Sequence, residues 1–187
     1  MARDGVEIEV GGRDLAERHH RAIRALYDEV FSAPPFTWSS RHPTEHDALL
    51  SALRDDPTFG ITVALRGDDL IGFAYGHRLP TNHGWWTGFP TPLPTAFTSE
   101  WEARTFALID LAVTPSERAK GTGRALLSTL LATRPEHRAV LSVQPAALHT
   151  HEFYRRQGWY HLGTKGPLTD VIPPTWLLFT LDLTPPT

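Results

Sequence analysis

The chain has 187 residues, 41% of them apolar and 21% charged, a balance that suits one globular domain with a full core. Its formal charge of −3 excludes a strongly basic nucleic-acid or acidic-membrane surface, and its lack of cysteine excludes disulfides, thiolate metal sites and a cysteine nucleophile. No run approaches a membrane span and Met1–Glu7 holds no apolar leader core, so the expectation is a single cytoplasmic domain over residues 1–187.

Val6-Glu-Ile-Glu-Val10 alternates and predicts a strand. Asp14 is placed to cap a helix running to about Phe31, with Leu15, Ile23, Leu26, Tyr27 and Val30 near one stripe, and Pro34-Pro35 ends it. Thr44 is placed to cap a second helix through Leu53, closed by Asp56-Pro57. Ile61–Leu65 and Leu70–Tyr75 read as strands joined by a turn at Gly67–Asp69. Residues Pro80 to Thr98 form a long Pro-, Thr- and Gly-bearing loop with the adjacent Trp85 and Trp86 and nearby Phe89. Loops of that length in a compact domain are functional or disordered. These aromatics either line an acceptor pocket or tuck the loop against the core.

Phe106–Val113 is an apolar run read as a buried strand, and Ala125–Leu131 is amphipathic and read as a helix. Between them lies Arg118-Ala-Lys-Gly-Thr-Gly-Arg124. A glycine-bearing loop that opens a helix offers outward backbone N–H groups and the positive end of the helix dipole. Gly121 and Gly123 permit a tight turn and close approach of a ligand, and Arg118, Lys120 and Arg124 add full charges. The expected guest is a pyrophosphate. The segment lacks the Gly-Lys-Ser/Thr of a Walker A loop, and Leu126 stands where a dinucleotide fingerprint needs its third glycine.

Ala139–Val143 predicts a further strand, followed by Gln144-Pro-Ala-Ala147 and then Phe153-Tyr-Arg-Arg-Gln-Gly-Trp159. Gly158 is placed to stop a short helix and Trp159 to open the next strand. After Lys165 comes an irregular stretch and a last strand, Trp176–Leu183.

The Arg-x-x-Gly-x-Gly loop, Arg118 to Gly123, resembles the coenzyme A loop of the GNAT superfamily of acyl-CoA N-acyltransferases. The Phe153-Tyr154 to Gly158-Trp159 segment is similar to the helix that follows in that family, and the resemblance covers about residues 60 to 165. It implies an α/β (α+β) fold: a mixed, mostly antiparallel twisted sheet with splayed parallel central strands and helices on both faces. It further implies acetyl-CoA as acyl donor, held by Leu111, Ala112, Val113, Arg118, Ala119, Lys120, Gly121, Thr122, Gly123 and Arg124, with Tyr154 as general acid. Where many members carry an Asn that holds the pantetheine arm, this chain has Ala147, so that contact is lost or supplied from elsewhere.

The implied chemistry is direct acyl transfer to an amine in a ternary complex, since no cysteine is present to carry the acyl group. Backbone N–H groups freed by a strand bulge around Leu111 to Val113 are expected to meet the carbonyl oxygen. Asp110, polar within an apolar run, is the candidate base, with Glu102 a weaker one whose plainer reading is a solvated carboxylate. Trp85 and Trp86 are the candidate acceptor-binding residues. His149-x-His151 invites a metal reading, but residues two apart on a helix do not share a face, so no metal is expected. His19-His20 reads as a surface pair. A small-molecule amine is the expected acceptor, with a peptide or protein N-acetyltransferase and a non-catalytic acyl-CoA sensor as alternatives. Neither a nucleic-acid nor a membrane partner is expected, and a homodimer is left open.

Overall fold

The computed structural model describes residues 5–183. Its strands are β1 (Glu7–Gly11), β2 (Gly60–Arg66), β3 (Asp69–Arg78), β4 (Thr105–Val113), β5 (Arg138–Val143), β6 (Tyr160–Lys165) and β7 (Trp176–Asp182). They form one sheet in the order β1-β2-β3-β4-β5-β7-β6. Every neighbouring pair is antiparallel except β4 and β5, which are parallel. The helices are α1 (Arg13–Arg18), α2 (His20–Phe31), α3 (His42–Leu53), the short α4 (Thr95–Thr98), α5 (Thr122–Ala132) and α6 (Leu148–Arg156). The mixed sheet of the expected fold is therefore present, with its one parallel pair at the centre.

Two apolar clusters sandwich the sheet. On one face Ile23, Leu26 and Val30 of α2 and Leu50 and Leu53 of α3 pack on Val63, Phe73 and Tyr75. On the other, Leu126, Leu127 and Leu130 of α5 and Tyr154 of α6 pack on Ala74, Phe106, Leu108 and Leu141. The helix expected from Asp14 to Phe31 is broken at His19, and Gly12 rather than Asp14 precedes its first turn. The break lets α1 bury Leu15 and Ala16 against the β1–β2 edge while α2 crosses to β3 and β4. The next helix starts at His42 with Pro43 in its first turn and no side-chain cap, so Thr44 caps nothing.

The C-terminus of α6 forms as its sequence predicts. Gly158 has φ of 88°, the Trp159 N–H reaches the Tyr154 carbonyl at 3.1 Å, and the Gly158 N–H reaches that of Arg155 at 3.0 Å. This paired closure suits a glycine one residue past the C-cap Gln157. Trp159 is buried at 2% exposure, and β6 opens at Tyr160 instead.

Gly76 is the point at which β3 makes room for β4. A Cβ there would collide with the Ala107 carbonyl oxygen and the Phe106 ring. Gly76→Ala should therefore destabilise the fold by about 3 kcal/mol, the upper range for overpacking a closed core, measured as a lower urea midpoint with unchanged slope.

Candidate active site

The two edges of β4 are treated differently. Against β3 it pairs continuously as far as Gly72↔Val113, apart from one irregularity. Against β5 it pairs only at Thr105↔Arg138, Phe106↔Ala139 and Ala107↔Val140. Beyond Ala107 the strands diverge, and among the described residues the β5-facing backbone of Leu108 to Val113 has no strand partner. Exposure follows the divergence: Thr105–Leu108 are buried, while Ile109, Asp110 and Leu111 are partly open.

The irregularity in β4 is a bulge. Tyr75 pairs with Asp110 and the next residue, Gly76, pairs with Leu108, which leaves Ile109 extra. This corrects the expected bulge around Leu111 to Val113; those residues keep full register with β3, and divergence from β5 frees their other edge. The bulge changes which way Asp110 points. Phe106, Leu108 and Val113 pack on the α5 face, as does Leu111. Ala107, Ile109 and Ala112 pack on the opposite face. Strict alternation would send Asp110 to the α5 side with Leu108. The extra residue instead puts it beside Ile109, on the face of α2 and α3.

There Asp110 accepts a short hydrogen bond from the Tyr75 hydroxyl, and its Oδ2 lies 3.8 Å from Nε2 of His46. The Asp110 side chain is 17% exposed and that of His46 1%. Burial pushes the Asp110 carboxyl up to about 6, against a smaller opposing effect of the Tyr75 hydrogen bond. Burial also pushes His46 down to about 4, so its ring is neutral at ordinary pH. Neither His46 nitrogen has a hydrogen-bond partner among the described residues. The ring stacks on Tyr27 with centroids 3.6 Å apart. Tyr27 and Tyr75 are both held protonated, first by burial and then by the Asp110 charge. Neither His46 nor its tyrosine neighbours was named as a site residue from the sequence. His46 carried a signal: it stands four and seven residues before Leu50 and Leu53, on the stripe that α3 buries.

Tyr154 lies on the other side of the sheet, 6% exposed, packed edge-on against Trp159. Burial, and then the charge of Asp110, raise its pKa well above the ordinary value of 10.0, so it is a protonated phenol. Among the described residues its hydroxyl has no hydrogen-bond partner.

The turn Pro115–Glu117 carries the chain from β4 into the glycine loop. Ala119 has φ of 61° and Gly121 φ of 92°, and Gly121 stands at the N-cap of α5. The first helical bond runs from the Ala125 N–H to the Gly121 carbonyl at 3.0 Å. The N–H groups of Ala119, Lys120, Gly121, Thr122, Gly123 and Arg124 meet no backbone acceptor among the described residues. Arg118 Nε donates to the Val113 carbonyl at 3.3 Å and braces the loop against the end of β4. Lys120 pairs loosely with Glu117 at 3.3 Å, and Arg124 is exposed. Beside the fork, Gln144 takes the Thr37 N–H on its Oε1 at 2.6 Å and tethers the α2–α3 connection to the end of β5. The amide of Gln144, three residues before Ala147, is thus engaged by the Thr37 backbone.

Trp85 and Trp86 both rest on Leu79, Ala107 and Val140, at the last paired rung of β4 and β5, but they then part. Trp86 Nε1 donates to Glu100 Oε1 at 3.1 Å, and the Arg138 guanidinium lies 4.9 Å from its ring centre. Arg138 and Glu100 form a buried pair at 2.6 Å, so Trp86 belongs to a structural network. Of the two, Trp85 lines a cleft with Lys165, Trp176 and Leu178, and Trp86 does not. Glu102 is 90% exposed beside Arg78, the solvated carboxylate of its plainer reading. His149 is exposed, whereas buried His151 lies 3.0 Å from the Gln144 carbonyl. Among the described residues no group of three His, Cys, Asp or Glu is set to hold a metal. His20 is half-buried and reaches Asp47 at 3.0 Å, joining α2 to α3.

Asp110 makes stability depend on pH. Its ordinary value is 3.8 and its folded value about 6, so between these pH values the folded chain retains a proton that the unfolded chain has lost. Stability contributed at this site therefore falls as pH rises through that window. Asp110→Asn keeps an acceptor for Tyr75 without the charge. It should stabilise the fold by about 2–3 kcal/mol at pH 7.5 and by little near pH 4, as read from urea midpoints at the two pH values.

Comparison with known proteins agrees with this architecture. The family model described as the acetyltransferase (GNAT) family matches residues 23–159. No curated protein matches the chain. Among solved structures, a Salmonella typhimurium protein with its cofactor acetyl-CoA is 16% identical, covering 97% of this chain and 96% of that one at a TM-score of 0.68. Aminoglycoside 6′-acetyltransferase type Ii is 15% identical, covering 97% and 99% at 0.66. The Escherichia coli ribosomal-protein-S18-alanine N-acetyltransferase is 13% identical, covering 97% of both chains at 0.65. At such identities the likeness establishes the fold, whereas the family match spans most of the chain. The chain belongs to the GNAT family of acetyltransferases and is thereby an acyltransferase.

Proposed function

We propose that this single-domain protein acts in the cytoplasm as an N-acetyltransferase that moves the acetyl group of acetyl-CoA to the amine of a small molecule. One observation carries the reading. The unpaired edge of β4 from Leu108 to Val113 leads through a single turn into the free N–H groups of Ala119 to Arg124. Together they make one track of donors ending in the cations Arg118, Lys120 and Arg124. A molecule with a pyrophosphate at one end and an amide-bearing arm at the other fits such a track.

When bound, acetyl-CoA supplies an acyl group activated as a thioester. The loop N–H groups and the α5 N-terminus bind the pyrophosphate, and the Leu111–Val113 edge meets the arm and the carbonyl oxygen. Asp110, with its carboxyl tuned to about 6, receives the proton that the attacking amine sheds. Tyr75 fixes Oδ2 of the carboxylate by its hydrogen bond, and neutral His46 lies 3.8 Å from the same oxygen. Tyr154 keeps its proton at neutral pH and donates it to the departing thiolate. Attack is direct, with no covalent acyl-enzyme. The cleft beside Trp85, about 280 Å³, matches a single small acceptor.

Thiol release from acetyl-CoA over a panel of amines tests the activity. Tyr154→Phe keeps the ring on Trp159 and deletes the donor. Its kcat should fall by about 10²–10⁴-fold with CoA affinity retained by calorimetry. Unchanged kcat across pH would make Tyr154 a packing residue.

A further inference from the structure

The sheet face that carries Asp110 continues across the fork onto β5, β7 and β6. Ser142, Leu178 and Gly163 stand opposite one another in one cross-strand row, and Trp176 and Lys165 in the next. The cleft opens on this surface, walled by Trp85, Leu168, Val171, Trp176 and Leu178. Lys165 is the one charged residue lining it among the described residues.

Lys165 is held in place. Its stem runs beside Gly88, where a Cβ would come within 3.3 Å of its Cε. Its Nζ donates to the carbonyls of Gly84 at 3.0 Å and Trp85 at 3.2 Å, both residues of the cleft lining. An ammonium has three N–H donors, and these bonds use two. No carboxylate lies within ion-pair distance of it among the described residues. This half-buried ammonium, fixed beside aromatic and aliphatic walls without a counter-charge, gives the cleft a net positive charge. Burial accordingly lowers its pKa from 10.5. Such a site repels an acceptor bearing several ammonium groups and attracts one that brings an anion.

We infer that the acceptor is an amine that also carries a carboxylate, its apolar body lying between Trp85 and Trp176 and its carboxylate on Lys165. This rests on the acetyl-transfer reading above and adds the class of acceptor to it. The carboxylate would take the remaining Nζ donor as a charge-assisted hydrogen bond, and the amine would lie toward the fork and Asp110.

Matched pairs of amines test it by thiol release. Phenylalanine and tryptophan are set against phenethylamine and tryptamine, and 4-aminobutyrate and 6-aminohexanoate against butylamine and hexylamine, which varies the spacing from amine to carboxylate. In the parent enzyme kcat/KM should favour the carboxylate member of at least one pair by about 10-fold or more, the usual strength of a charge-assisted contact. Lys165→Met should bring that ratio to about one, and Lys165→Arg should keep it above one. Calorimetric CoA affinity certifies that each variant is folded. A parent ratio near one, or a ratio that Lys165→Met leaves in place, overturns the carboxylate site and makes Lys165 a strut for the loop, with acetyl transfer still standing. Absence of thiol release with every amine, despite CoA binding, overturns acetyl transfer and this inference with it.

Discussion

The site depends on an inequality between the two edges of β4. On the β3 side the ladder runs the length of the strand; on the β5 side it stops at Ala107↔Val140. Backbone polar groups left without partners in a sheet interior are costly, so a central strand that gives up half a ladder must exchange those bonds with water or a ligand. The β3 ladder keeps the open edge straight enough to serve as a template. The packing of α5 across β1, β2, β3 and β4 holds that half of the sheet together while the β5–β7–β6 half swings away.

The same strand solves a second problem with one extra residue. Alternation would hide Asp110 among the leucines beneath α5. The Ile109 bulge, accommodated by Gly76 on the neighbouring strand, delivers the carboxylate to the face with Tyr75 and His46. The resulting environment disfavours the charged carboxylate and so weakens the fold near neutral pH, as sites tuned for proton transfer commonly do. Tyr75, Tyr27 and His46 form an aromatic wall beside the carboxylate, whose side chain keeps 17% exposure.

The legible parts of the sequence were those that local backbone geometry dictates. Gly121 and Gly158 both adopt the left-handed conformation; Gly158 is placed at its helix end by its spacing, and Gly121 is read in a loop before a helix that begins at Thr122 rather than Ala125. Apolar runs mark the approximate bounds of five strands, and the alternation of Val6–Val10 marks β1. The less legible parts depend on pairing between distant segments. No local pattern marks Ile109 as the extra residue, because a bulge is a property of register with β3. Trp85 and Trp86 are adjacent and chemically alike, yet Glu100 and Arg138, distant in sequence, claim only the second. Gln144 is drawn to Thr37, far earlier in the chain. His46 stood on a visible apolar stripe, but only the fold shows that its ring ends beside Asp110.

Backbone hydrogen exchange with and without CoA tests whether the open edge of β4 and the loop beyond it form the cofactor's binding track. CoA should slow exchange at amides within Leu108–Val113 and Ala119–Arg124. Thr105 to Ala107, already paired to β5, should change little. Protection confined to other elements, or equal slowing along the whole of β4, would contradict it.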